Sequence, residues 1–480
     1  MSDFFHGVRT QKKDYVSTAP IVATSGIPFV VGSAPVHQAG GKVNEPVLCK
    51  NYDEAVAALG YSDDWANYDL CEVMYSHFKL YGVGPVVFVN VFDPAKAKKT
   101  VAAADYPVKD KQVKLPGSAI ISTVKVLDDD EEAYELGTDY DVFYDGDYLI
   151  VEILDGGHIA AATSALTVAY DEANPAAVTK EDVIGGFDTT TKTYSGFELI
   201  DQVYPRFLVV PDLLLAPKWS GVPEVAAVMA AKAERINGLL HGRALIDVDS
   251  SAVRYYGDVA AWKEEHGVTN QTQILMWPMV AYDGKIFHLS TQAAGLMAQI
   301  DTDNDGCPCD YPSNKALKAT STVLADGTEV VIDLAAANNL NGNGVCTALN
   351  FIGGFRFWGN YTAIYPTDKN ADVSFIAVVR MFDWVQNSLI LSYWGKVDER
   401  MTRRLVDSIL DSINIWLNSL VAESKLLGAR VEMIESENPT EDLMAGIVRF
   451  HLYMTPASPA QEIDFTVEYD AQYVSAAFGM

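Results

Sequence analysis

Pro85-Val86-Val87-Phe88-Val89-Asn90-Val91-Phe92 is a short run of β-branched and aromatic residues with no polar alternation. A strand with one wet face alternates, so this run predicts a strand covered on both sides, as in a parallel sheet flanked by helices. Upstream, Trp65 to Tyr81 has helical spacing and stops at Gly82, and Asp53 to Leu59 (DEAVAAL) predicts a second helix. Further back, Ile21 to Pro35 (IVATSGIPFVVGSAP) reads as another strand with Phe29, Val30 and Val31 in the core, closed by a Gly and Pro turn. Strand, helices and buried strand together predict an α/β layer.

Beyond Pro94 the pattern changes. A Lys-rich stretch leads into short strands and turns at Ala119 to Leu127, the acidic run Asp128 to Glu132, Tyr140 to Tyr144 and Tyr148 to Leu154, with Asp145-Gly146-Asp147 as a hairpin signal. The α/β pattern resumes after Pro205, with a strand expected at Phe207 to Val210, a helix near Val222 to Leu240, a strand at Ala244 to Val248 and an apolar run at Ile274 to Val280. Residues 95–198 therefore read as a β-rich insertion into an α/β domain.

In the final third, Val397, Met401, Leu405, Ile409, Ile413, Trp416 and Leu420 recur at spacings of three or four. That spacing predicts one long helix from Lys396 to Leu427, ended by Gly428. Lys396, Arg400, Arg403 and Arg404 would then form a basic stripe beside the apolar one, either solvated and paired with Asp398, Glu399 and Asp407 or docked on an acidic partner. Two strands follow. In the first, Val448, Phe450, Leu452 and Met454 share a side. In the second, Ile463, Phe465, Val467 and Tyr469 alternate with Glu462, Asp464, Thr466, Glu468 and Asp470. A lone strand is unstable in water, so this one needs a sheet edge.

Composition excludes several function classes. The 480 residues predict about three domains, and 49% hydrophobic residues supply material for packed cores. Thirty-five Lys and Arg against 64 Asp and Glu leave a net charge of −29, which repels nucleic acid and anionic membrane surfaces. The five cysteines suggest a reducing compartment rather than a disulfide framework. No secretory signal and no apolar stretch of spanning length are read from the sequence, so synthesis in cytoplasm is expected.

The search for chemistry returns little. GxxxxGK[ST], GxGxxG, GxSxG and HExxH are missing, and no two histidines stand four apart. Asp301-Thr302-Asp303-Asn304-Asp305-Gly306 matches the first half of a calcium loop, but Cys309 and Pro312 stand where later ligands belong. Cys307-Pro308-Cys309 is too tight for a zinc knuckle and has no second pair. The expectation is no catalytic residue, no metal and no cofactor.

The chain resembles the contractile tail sheath proteins of myophages, phage-tail-like bacteriocins and related injection systems. Phe5-His6-Gly7-Val8-Arg9 and Ser25 to Pro35 (SGIPFVVGSAP) are similar to the sheath N-terminus, and Pro211 to Pro217 (PDLLLAP), Trp277-Pro278 and Ala294 to Ala298 (AGLMA) leading to Pro312-Ser313-Asn314 resemble the central segment. More specific are Leu340 to Val345 (LNGNGV), Gly354 to Asn360 (GFRFWGN), Val379-Arg380-Met381, Gly428-Ala429, Gly446 to Tyr453 and Pro456 to Ile463 (PASPAQEI), in the family's order. Asn360-Tyr361 and Val379 stand where the family commonly has Arg.

The resemblance implies a multidomain α/β and α+β protein with mixed sheets, a long C-terminal helix and extended terminal arms. Its expected parts are an arm at 1–22, an α/β domain at 23–94 and 199–345, an inserted outer domain at 95–198, a sheath core at 346–460 and a linking arm at 461–480. It implies a helical homo-oligomer of hexameric rings around an inner tail tube, with baseplate and tail terminator proteins as further partners, assembled in bacterial cytoplasm into a virion tail or phage-tail-like particle. Ile463, Phe465, Val467 and Tyr469 would form the inter-subunit strand, and Lys396, Arg400, Arg403 and Arg404 would face the tube. A baseplate or adhesion module that does not contract, or a metal-dependent hydrolase, are the alternatives.

Overall fold

The computed structural model describes residues 20–479 apart from 129, 147, 161 and 471. The expected N-terminal arm, with Phe5 to Arg9, thus lies outside the described residues up to position 19. The body is built on strands β1 (Pro28–Gly32), β2 (Val47–Cys49), β3 (Val86–Asn90), β4 (Leu213–Leu215), β5 (Arg243–Asp247), β6 (Gln273–Met276), β7 (Val345–Asn350) and β8 (Phe355–Trp358). They form one sheet in the order β8-β7-β6-β5-β4-β1-β3-β2, parallel except for the two outermost pairs.

Alternation along each strand sorts side chains onto the two faces. Phe29 and Val31 lie with Val87, Val89, Leu214, Ile246 and Leu275 in one core, while Val30, Phe88, Leu213, Leu215, Leu245 and Met276 lie in the other. Both faces are dry, which is why the Pro85 to Phe92 run needs no polar positions. The expected strand at Phe207 to Val210 is corrected: Val203–Phe207 is a short helix, Leu208 has a left-handed backbone with φ 58°, and the strand is Leu213–Leu215. Apolar content alone does not distinguish these states in so short a run. The run Ile274 to Val280 is likewise two strands, because Trp277-Pro278 separates β6 from Met279–Tyr282.

Residues 98–173 form their own unit. One three-stranded sheet pairs Ala165–Ala173 with Lys98–Pro107 and Lys125–Leu127; the other pairs Tyr148–Ile153 with Gln112–Pro116 and Tyr140–Asp145. Val113, Leu115, Val126, Leu149, Val151 and Val168 are buried between them. The chain enters and leaves side by side, with the Asn174 N–H donating to the Ala97 carbonyl at 2.9 Å.

Two helical elements carry polar groups into the core. The helix α1 (Leu70–Met74) continues through a wider turn to Tyr81, and α2 (Leu289–Asp303) packs against it. His77 sits fully buried in this layer, and burial pushes its pKa down to about 4. At the far end of α2, α3 (Ile376–Tyr393) brings Arg380 between Asp212 and Asp301. Its Nη2 donates to Asp212 at 3.0 Å and to Asp301, Nη1 donates to Asp301 at 3.2 Å, and Nη2 also reaches the Ser25 hydroxyl at 3.0 Å. Burial disfavours the guanidinium charge, but the two carboxylates outweigh it and raise the arginine pKa. One turn on, Asp383 takes a two-point ion pair from Arg243, at 2.6 and 2.7 Å.

These groups also hold the start of the described chain. Residues 21–25 run along α3: Ser392 donates to the Ile21 carbonyl at 3.0 Å, Trp384 Nε1 to the Ala23 carbonyl at 2.6 Å, and the Ala23 N–H to Ser388 Oγ at 3.0 Å. Ser25 N–H then donates to the Gly306 carbonyl at 3.0 Å.

Two outcomes are expected. Arg380→Ala leaves two buried carboxylates without a counter-charge and should cost about 3–5 kcal/mol in urea denaturation, partly recovered by adding Asp301→Asn; a loss under about 1 kcal/mol would refute the hub. His77 has a folded pKa below its unfolded value, so the stability it supports is complete above pH ~6.5 and lost as pH falls through ~4. At most about 3 kcal/mol is involved. Denaturation of the wild-type chain and of His77→Leu at pH 7 and pH 4.5 should show a shallower loss in the variant.

Candidate assembly interface

The C-terminal unit is a two-stranded sheet on a helix. Strands β9 (Gly428–Glu432) and β10 (His451–Thr455) are antiparallel, with Val431 opposite Leu452. Under them lies α4 (Arg403–Ala422), which presents Ile409, Ile413, Trp416, Leu417 and Leu420 to Trp384, Val385 and Met381 of α3. The Trp384 and Trp416 rings are 5.6 Å apart. By length and composition α4 could cross a membrane, but its apolar side is used here and its N-terminal turn is charged.

The expected helix is corrected at its start. Trp394–Lys396 is a 3₁₀ turn, Asp398 adopts a left-handed backbone with φ 67°, and Thr402 caps α4 by accepting from the Leu405 N–H. The hydroxyl satisfies an orphan donor and fixes the start there. Val397 and Met401 are accordingly exposed, and α4 stops at Ala422, ahead of Gly428. Lys396 and Arg400 thus lie in the loop and only Arg403 and Arg404 lie on the helix, so the four cations do not form a helical stripe. All four are exposed. Lys396 pairs with Glu399 at 3.2 Å, and Arg403 with Asp407 at 3.6 Å.

The edges of the β9–β10 sheet differ. The side chain of Asn414 on α4 both donates to the Val431 carbonyl and accepts from its N–H, each at 3.0 Å, so it occupies the outer side of β9. Strand β10 has no second strand neighbour among the described residues. An unpaired edge of this kind is a template for another strand.

From Thr455 the chain crosses the body. Tyr311 donates to the Ala457 carbonyl and Tyr361 to Gln461 Oε1, each at 2.8 Å. Tyr361 is itself stacked on Tyr365, with centroids 3.8 Å apart. Past this anchorage Glu462 to Asp470 has no strand partner among the described residues. Ile463, Phe465, Val467 and Tyr469 are 67%, 85%, 93% and 81% exposed. All four predicted side chains are therefore bare, and the segment expected as a strand is not assigned as one and has no sheet among the described residues.

The acidic turn is occupied otherwise. Asp301 belongs to α2, is fully buried and binds Arg380, so its carboxylate is not turned toward Asp303 and Asp305. Cys307 is buried, with its thiol 3.6 Å from Met381 Sδ. Sequence reasoning missed the anchorages at Tyr311, Tyr361, Ser388 and Ser392, because their partners, three backbone groups and the Gln461 side chain, lie far away in the chain. It also missed Asn414, which reads only as a polar position on a helix.

No family model matches the chain. A tail sheath protein of Burkholderia phage BcepMu is 26% identical over 98% of both chains. A putative prophage major tail sheath protein of Pseudomonas aeruginosa is 25% identical over 61% of this chain and 73% of its own. Among solved structures, the sheath complex of the extracellular contractile injection system PVC, in its contracted state, superposes with a TM-score of 0.58 at 12% identity, covering 98% of this chain and 99% of that one. The helical sheath of the anti-feeding prophage, also contracted, gives 0.57 at 13% identity over 97% and 99%. The chain is thus similar over its whole length to tail sheath proteins, in sequence to the phage protein and in fold to the two contracted sheaths.

Proposed function

We propose that the chain is the structural subunit of a contractile tail sheath, polymerising helically around an inner tube and shortening to drive that tube through a target envelope. The observation that carries this reading is the bare, alternating segment from Ile463 to Tyr469, held at its root by Tyr361 and without a strand partner among the described residues. Each subunit lends that strand to the open side of β10 on a neighbour. Backbone hydrogen bonds set its geometry, and alternate apolar side chains supply the attraction.

Magnitudes suit a lattice better than a dimer. Burying four large side chains contributes roughly 6–12 kcal/mol, while ordering nine residues costs roughly as much. A single strand is marginal by itself. In a lattice each subunit both lends and receives, and the links reinforce one another.

Arg403 and Arg404 fit the tube side of the assembly. Cations at a helix N-terminus oppose the macrodipole and cost α4 about 0.3–1 kcal/mol each, a cost that an acidic partner surface would offset. Lys396 and Arg400 extend the basic patch through the preceding loop. Rings of six, baseplate and terminator proteins, and assembly in the host cytoplasm complete the reading, with nucleic acid and membrane left out by the charge of −29. The role is structural rather than enzymatic.

Two experiments test this. Removing residues 461–480 should leave a folded chain, by circular dichroism and thermal melting, that forms no tubes in negative-stain images; tubes from the truncated chain would place the link elsewhere. Arg404→Glu should leave the monomer as stable as before, or more so by about 0.3–1 kcal/mol, while sheath no longer co-sediments with tube. Undiminished co-sedimentation would remove Arg404 from the tube surface.

A further inference from the structure

Two bare apolar features stand at opposite ends of the main sheet. The first is a socket of about 440 Å³ between Tyr204 and Pro205, the loop at Leu239 and Leu240, and the end of α3 at Leu391 and Trp394. Its lining is apolar, and Leu239 and Trp394 remain 45% and 64% exposed. The socket lies at the N-terminal ends of the parallel strands. Leu240 stands just ahead of β5, and the His241 N–H donates to Asn387 of α3 at 2.9 Å.

The second feature is a knob at the C-terminal ends. Strand β7 starts beside the last residues of β6, with Leu275 opposite Val345 and Met276 opposite Cys346, and runs on past them to Asn350. It turns back into β8 through Phe351-Ile352-Gly353-Gly354, closed by Asn350 opposite Phe355. Gly353 and Gly354 have φ of 79° and 91°, a backbone that favours glycine and makes the tight reversal. Phe351 and Ile352 are 67% and 77% exposed. Polar and small residues serve a turn, so two large apolar side chains at its tip have no local use. The hairpin is braced on its outer side, where the Leu317 N–H donates to the Phe355 carbonyl and the Phe357 N–H to the Lys315 carbonyl, each at 3.0 Å. A braced tip loses little freedom on binding.

We propose that Phe351 and Ile352 of one copy enter the socket at Tyr204, Leu239 and Trp394 on the next copy of this chain. Knob and socket are unlike patches, so the contact is head-to-tail and repeats from copy to copy, whereas a two-fold pair needs a patch that matches itself. Their places at opposite ends of the sheet let successive copies keep one polarity. Two side chains bury on the order of 400 Å², against about 1,200 Å² or more in a stable pair. Alone they would hold two copies with a dissociation constant of roughly 1 mM at best. That weakness suits a lattice in which other links hold the copies in place, and in this the inference rests on the sheath reading. The contact is separate from the strand at residues 463–469.

p-Benzoylphenylalanine in place of Ile352 in the full chain, with ¹⁵N-labelled and unlabelled copies mixed, assembled and irradiated, reports both site and source. Products of mixed mass to peptides containing Leu239 or Trp394 are expected. Leu239→Glu, at a half-exposed position, should leave the circular dichroism unchanged and cut their yield about tenfold. Same-copy products only, products joining two 350–354 hairpins, products to other peptides, no product between copies, or an unchanged yield in Leu239→Glu would each overturn the contact. Tube formation by the wild-type chain is scored apart in negative-stain images. Tubes with cross-links elsewhere sink the contact and spare the sheath reading; cross-links to Leu239 or Trp394 at high concentration without tubes uphold the contact and sink that reading.

Discussion

The Arg380 guanidinium, enclosed with Asp212 and Asp301, is the interaction on which the rest of the body depends. Asp212 leads into β4, Asp301 ends α2, Arg380 sits in α3, and Ser25 belongs to the segment that leads into β1. One charge network therefore joins four parts of the chain separated by as many as 355 residues. A buried ion pair adds little net stability over a well-packed apolar substitute, but losing one member is severe. The network thereby penalises any arrangement in which α3 shifts against the sheet.

The two ends of the body are treated alike. Residues 21–25 are fastened along α3, and residues 457–461 are fastened to Tyr311 and Tyr361. Asn414 closes one side of the small sheet and leaves the other available. A subunit with two available edges would accept strands indiscriminately; one edge gives a lattice a direction. Control of edges is a common way for β-structure to avoid unintended association.

The sequence was informative where pattern and burial coincide. The run at Pro85 to Phe92 fixed the sheet class because both faces are dry, whereas Glu462 to Asp470 alternates like a strand yet is not paired as one among the described residues. It misled where backbone chemistry overrode periodicity. Val397 and Met401 continue the apolar spacing of α4, yet the left-handed Asp398 and the Thr402 cap start the helix later, which moved Lys396 and Arg400 off it. Phe207 to Val210 reads as a strand by composition, and Leu208 turns the chain instead. The charge hub could not be foreseen, since Asp212, Asp301 and Arg380 meet only through the fold.

The unit at residues 98–173 leaves the body through two adjacent strands, with Ala97 and Asn174 hydrogen bonded at the junction. Most of its core is its own, with only Ile120 and Ala173 packed into a core of the body, and the body's main sheet closes without it. Recombination could therefore exchange this module for one of different size or surface while the junction stays unchanged. Such an exchange would change the size and surface of this unit and leave the eight-stranded sheet as it is.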